Sequence, residues 1–132
     1  MQTVEWTEQL AIGVETIDRQ HKRWIGLLNN LIMARLANRA QDVLADALSE
    51  LYIYTVTHFD EEERIFAQIE YSGKKTHREM HASFITKFGE FKNKFENNEA
   101  GLSDEMIEYL SDWLVWHIST VDPELAHLKI HA

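Results

Sequence analysis

The apolar residues of this chain recur in steps of three and four along four long segments, and no other feature narrows its fold so far. The first segment carries Ile17, Trp24, Leu28 and Leu31 on one stripe. The second carries Leu44, Leu48, Leu51, Thr55, Ile65 and Ile69, the third Phe84, Phe88, Phe91 and Phe95, and the fourth Met106, Leu110 and Trp113. Such steps return to one face of an α-helix, so the spacing predicts helices over about 18–38, 41–69, 74–97 and 103–121. The punctuation agrees. Ser72-Gly73 separates the second segment from the third, and Asn97, Asn98 and Gly101 separate the third from the fourth. Ser103 reads as an N-cap with Asp104 and Glu105 in the favoured first turn. Asp122 precedes the only proline, Pro123, and should leave helical geometry there. Four amphipathic helices with short connections predict an all-α fold, an antiparallel up-down-up-down four-helix bundle. Residues 1–17 are expected to form an N-terminal arm packed by Trp6, Leu10 and Ile12, residues 123–132 a tail, and residues 1–132 together a single domain.

Composition excludes several classes of function. Thirteen Lys and Arg against twenty-two Asp and Glu leave a net charge of −9, which would repel a phosphate backbone and argues against nucleic acid as a partner. The chain has no cysteine, which excludes disulfides, thiolate-held clusters and a thiol nucleophile. No apolar run approaches the ~20 residues of a spanning helix, so no membrane insertion is expected. The first residues lack the basic and apolar regions of a secretory leader, and a cytoplasmic location is expected.

Histidines interrupt the apolar stripes. His21 falls on the first, His58 on the second, His77 and His81 on the third and His117 on the fourth. Burying five imidazoles among apolar side chains is costly unless something satisfies them. A metal does so, because neutral imidazole is a common ligand for iron, copper, nickel and zinc. Topology gives a second argument. His21 and His77 start their helices, and His58 and His117 lie near the ends of theirs. An antiparallel bundle brings those four ends to one pole.

Carboxylates join them. Asp60-Glu61-Glu62-Glu63 is a charge run, which ordinarily means a solvated face, and that reading takes three of the four. Glu62 alone lies on the stripe with Thr55, His58 and Ile65. Asp122 lies five residues from His117, about 140° off its face in an ideal helix. Its carboxylate turns inward only if the last turn unwinds at Pro123, and spacing leaves that open. Five imidazoles with one or two carboxylates exceed one tetrahedral zinc. Two ions bridged by carboxylates use the set well, and nitrogen with oxygen donors suits iron or manganese better than Cu(I). His127 and His131 follow Pro123, outside the stripes, and read as solvated tail residues.

With these residues in place, the chain resembles the single-domain hemerythrins of bacteria. The resemblance rests on Trp6, Gly13-Val14, Ile17-Asp18 and Gln20-His21-Lys22, then on the spacings of His58 to Glu62, His77 to His81 and His117 to Asp122, and it spans residues 6–122. One departure is Ser72 after Tyr71, where relatives often carry proline. The resemblance implies a non-heme di-iron site with an oxo or hydroxo bridge. His77, His81 and His117 would hold one iron, His21 and His58 the other, and Glu62 and Asp122 would bridge them. It implies an open position for O2 on the iron with two imidazoles, walled by Trp24, Phe59, Trp113, Leu114 and Ile118. Reversible O2 binding for storage, delivery or buffering is the function this implies, without enzymatic turnover, and with a protein recipient of O2 as a further partner. Oxygen-activating di-iron bundles are richer in carboxylates, with a Glu-x-x-His spacing that none of these five histidines shows. The alternatives are an enzyme acting on peroxide or nitric oxide, and an O2 or redox sensor acting in trans.

Overall fold

The computed structural model describes residues 2–98, 101 and 104–123. Four α-helices make a four-helix bundle: α1 (Glu15–Leu36), α2 (Gln41–Phe66), α3 (Lys74–Glu96) and α4 (Asp104–Trp116). α1 packs on α2 and α2 on α3. The ends pair as an antiparallel arrangement requires. Arg35 at the end of α1 lies 3.6 Å from Asp104 at the start of α4, and Gln41 at the start of α2 donates to Asn98 just past α3. No helix among the described residues is long and apolar enough to cross a membrane. Ser103, His127 and His131 lie outside the described residues.

Two asparagines stop helices by the same device. Asn38 (φ 51°) and Asn98 (φ 58°) take the left-handed conformation that closes a helix C-terminus. After α1 the Asn38 and Arg39 amides donate back to the Arg35 and Ala34 carbonyls at 3.2 and 3.0 Å, satisfying groups the helix leaves open.

α1 begins at Glu15, three residues earlier than the stripe indicated, because Asp18 works from inside the helix. Its carboxylate accepts the Ile12 and Gly13 amides at 2.8 and 3.2 Å and ties the arm to the first turn. α4 presents Ile107, Leu110 and Leu114 to the core, whereas Met106 and Trp113 are only half-buried. The sequence stripe was therefore one position off along part of this helix. In the arm, Trp6 and Leu10 pack on the main core, while Ile12 packs on a small second cluster of Val14, Ile17 and Phe66.

The last turn differs in kind from the expectation. The chain does not unwind at Pro123; it widens. Residues His117–Val121 form a π-helical turn, closed by the Asp122 amide donating to the His117 carbonyl at 3.0 Å. Ser119 Oγ donates to the Val115 carbonyl at 2.7 Å, a back-bond that favours a bend, and Pro123 has no amide with which to continue the ladder. A five-residue hydrogen-bonded loop carries Asp122 once round to the face of His117, which an ordinary helix could not do.

Candidate metal centre

All seven residues proposed as ligands from the sequence are buried at one pole of the bundle. α1 supplies His21, α2 supplies His58 and Glu62, α3 supplies His77 and His81, and the π-helical turn supplies His117 and leads into Asp122. Each imidazole turns its Nε2 inward, and these atoms divide into two groups. The His77 and His81 nitrogens lie 3.2 and 3.1 Å from that of His117. His21 and His58 stand together on the other side, ring centroids 5.0 Å apart.

The two carboxylates lie between the groups, one oxygen toward each. Glu62 Oε1 is 2.9 Å from His77 and 3.3 Å from His81, while its Oε2 is 3.3 Å from His58 and 3.9 Å from His21. Asp122 Oδ1 is 3.1 Å from His117 and 3.2 Å from His77, while its Oδ2 is 3.0 Å from His21. Two overlapping sets of donor atoms result, each within 4.8 Å: Glu62 with His77, His81 and His117, and Glu62 and Asp122 with His21 and His58.

These atoms crowd together without satisfying one another. Among the described residues, both oxygens of Glu62 and of Asp122, both ring nitrogens of His21, His58 Nε2 and His117 Nδ1 are buried with no hydrogen-bond partner. Each such atom costs about 1–3 kcal/mol. Six of them, the four carboxylate oxygens with His21 Nε2 and His58 Nε2, face shared points, and a pair of cations would satisfy these. The donor chemistry fits as well, since neutral nitrogen and anionic oxygen without sulfur suit iron.

The electrostatics favour positive charge at this pole. Burial works against charging the rings of His21 and His77, but Asp122 and Glu62 outweigh it and raise both to about 9. His117 is raised by the same carboxylates against the same burial. Burial likewise favours protonating Glu62, yet the rings of His117, His21, His58 and His77 hold its carboxyl well below the usual range. Asp122 is lowered by His117 and His21 against burial and the repulsion of Glu62.

Three rings also have partners on their outer nitrogens, and sequence reasoning found none of these partners. His58 Nδ1 meets Gln20 Oε1 at 2.8 Å, and the Gln20 amide donates in turn to Glu61. His77 Nδ1 meets the Tyr71 hydroxyl at 3.2 Å. His81 Nδ1 meets Glu63 Oε2 at 3.0 Å. Glu63 corrects the reading of the acidic run: Asp60 is surface, paired with Arg64 at 2.9 Å, but Glu63 is half-buried and faces the site. Gln20 was legible as part of the resemblance but not in this role, and nothing in the spacing pointed to Glu63. Tyr71 depends on Gly73, because a Cβ there would lie 2.7 Å from the tyrosine ring.

The expected pocket residues surround the cluster unevenly. Trp24 lies beside His58 and His21, at 5.1 and 6.1 Å between ring centroids. Phe59 stacks on His81 at 3.7 Å and also stands 6.0 Å from His58. Trp113 stacks on His117 at 4.5 Å, against the three-imidazole group. Leu114 and Ile118 are buried in the main core. The indole N–H of Trp24 donates to Thr55 Oγ1 at 2.8 Å, and that hydroxyl donates to the Leu51 carbonyl, so the donors of both side chains are already engaged.

The family model for the hemerythrin HHE cation binding domain matches residues 12–127. This chain belongs to the hemerythrin family. It is 33% identical to a bacteriohemerythrin of Stenotrophomonas maltophilia over 99% of this chain and 85% of that protein. It is 31% identical to a hemerythrin of Sipunculus nudus, over 89% of this chain and 86% of that one. A crystal structure of wild-type hemerythrin superposes with a TM-score of 0.90 at 26% identity, covering 99% of this chain and 100% of the other. The hemerythrin bundle is thus a feature this chain shares with its relatives, and its histidine-rich pole is a cluster that could bind iron.

Proposed function

We propose that this hemerythrin-family chain binds O2 reversibly at a pair of iron ions, for oxygen storage, delivery or buffering. The observation that carries the reading is the placement of the two carboxylates: Glu62 has one oxygen toward His77, His81 and His117 and the other toward His58 and His21, and Asp122 has one oxygen toward His117 and His77 and the other toward His21. In this reading His77, His81 and His117 would hold one iron and His21 and His58 the other, with Glu62 and Asp122 offering an oxygen to each. An iron pair bound there would supply O2 with two electrons, one from each ion. The protein supplies the rest. The unequal division of imidazoles means that His21 and His58 would hold their ion with fewer protein donors, and Trp24 and Phe59 line that side. These fully buried rings keep that side dry, and the Trp24 donor is already engaged elsewhere. Neutral imidazoles outnumber the carboxylates, which disfavours the high oxidation states that oxygenating enzymes reach.

The test is anaerobic reconstitution with Fe(II), followed by titration with O2 under optical absorption. A charge-transfer band that rises with O2 and vanishes on degassing is expected. Permanent conversion to the ferric state on first exposure, or sustained consumption of peroxide or nitric oxide, would replace the carrier reading with an enzymatic one.

A further inference from the structure

The outer partners of the imidazoles are unequal. His58 Nδ1 meets a neutral amide and His77 Nδ1 a hydroxyl, but His81 Nδ1 meets a carboxylate, Glu63, at 3.0 Å. Among the described residues, His21 and His117 have no partner on that nitrogen. His81 is also held by Phe59, whose ring lies parallel to it within 2°. Glu63 follows Glu62 directly on α2, so consecutive residues offer the shared carboxylate and the outer acceptor. The other oxygen of Glu63 lies 3.9 Å from Arg78 Nε, a partly exposed pair too loose to neutralise it.

We propose that Glu63 is a positioning residue for the three-histidine half of the centre, and that it makes this half the first to take up its cation. The proposal rests on the reading that each half holds one cation. When Nε2 donates its lone pair to a cation, positive charge develops on the ring, and the Nδ1 proton becomes a stronger donor. A carboxylate receiving that proton stabilises the charge more than an amide or hydroxyl does, because charge-assisted hydrogen bonds are roughly twice as strong as neutral ones. It also fixes the tautomer, leaving the Nε2 lone pair free to face the cluster. The two-histidine half has no such help: among the described residues, the outer acceptor there is the neutral Gln20 amide.

The experiment titrates the metal-free full chain with Co(II), following ligand-field absorption and bound metal by equilibrium dialysis. The parent chain is expected to bind two ions in two resolved steps. Glu63→Gln, which keeps size and helix position, is expected to weaken the first step by about 10–100-fold, with the second still present and helix content unchanged by circular dichroism. Glu63→Asp, which keeps the charge, should recover part of the loss. Arg78→Ala, which removes the surface pair and a contact with the Phe66 ring while leaving the Glu63 carboxylate in place, should leave both steps intact. A Glu63→Gln titration that overlays the parent overturns the proposal, as does an equal loss in Arg78→Ala. Fewer than two ions bound by the parent itself would instead sink the two-cation reading beneath it.

Discussion

Where α1 ends and α4 begins, the interior is Leu31, Leu48, Phe88, Ile107 and Leu110, all buried and none with a polar atom in its side chain. At the other pole the same four helices bury His21, His58, Glu62, His77, His81, His117 and Asp122. The first pole is stabilised by removing apolar surface from water, at about 25 cal/mol per Å². The second sets charge and unpaired lone pairs inside a low-dielectric interior, which costs free energy until cations satisfy them. Stability and function are therefore divided along the bundle axis. Phe59 and Trp24 mark the boundary, since each belongs to the apolar core and touches an imidazole.

The largest expected effect on this division comes from the shared carboxylate. Glu62→Ala should lose at least one of the two irons, read by elemental analysis, while the metal-free chain stays helical. Two irons retained per chain would contradict the bridging role. The opposite pole should answer in reverse. Leu31→Ala should lower unfolding free energy by about 2–5 kcal/mol in denaturant titration and leave two irons bound; loss of iron there would mean the poles are not separable.

Acidity sharpens the contrast further. His21 and His77 are raised from 6.5 to about 9, so the metal-free chain gains stability from their charged forms below 6.5 and loses it as pH rises through about 9. Cation uptake must displace those protons, so the apparent affinity should climb across the same interval and level off above about 9, with proton release measurable in weak buffer. An affinity independent of pH there would show that these rings are not ligands.

Leu114 is a buried member of the apolar core, one turn from Ile118 and His117. If the proposed O2 binding holds, Leu114→Ala should open space for water and hasten irreversible conversion to a ferric form. An unchanged half-life would remove Leu114 from the pocket wall. The smallest effect is expected from Arg64→Ala, which breaks an exposed pair with Asp60 at the metal pole. It should change stability by no more than about 1 kcal/mol and leave iron content unaltered, as judged by denaturation and elemental analysis.

The helices and the pole at which the imidazoles meet were legible in the sequence, because both follow from periodicity. Residues three and four apart share a face in any α-helix, and alternate helices of an antiparallel bundle point opposite ways. So Ile17, His21, Trp24 and Leu28 could be placed from spacing alone. Asp122 marks where that reasoning ended. Five residues from His117 is the wrong face of an α-helix, and only the π-helical turn before Pro123 makes it the right one. The pairing of Glu63 with His81, of Gln20 with His58 and of Tyr71 with His77 was not legible either. The last two cross between elements, or close a turn over Gly73, and the first joins α2 to α3. Periodicity says which way a side chain faces on its own helix, whereas the residue it meets on another is decided by helix rotation and offset, which only the packed bundle sets.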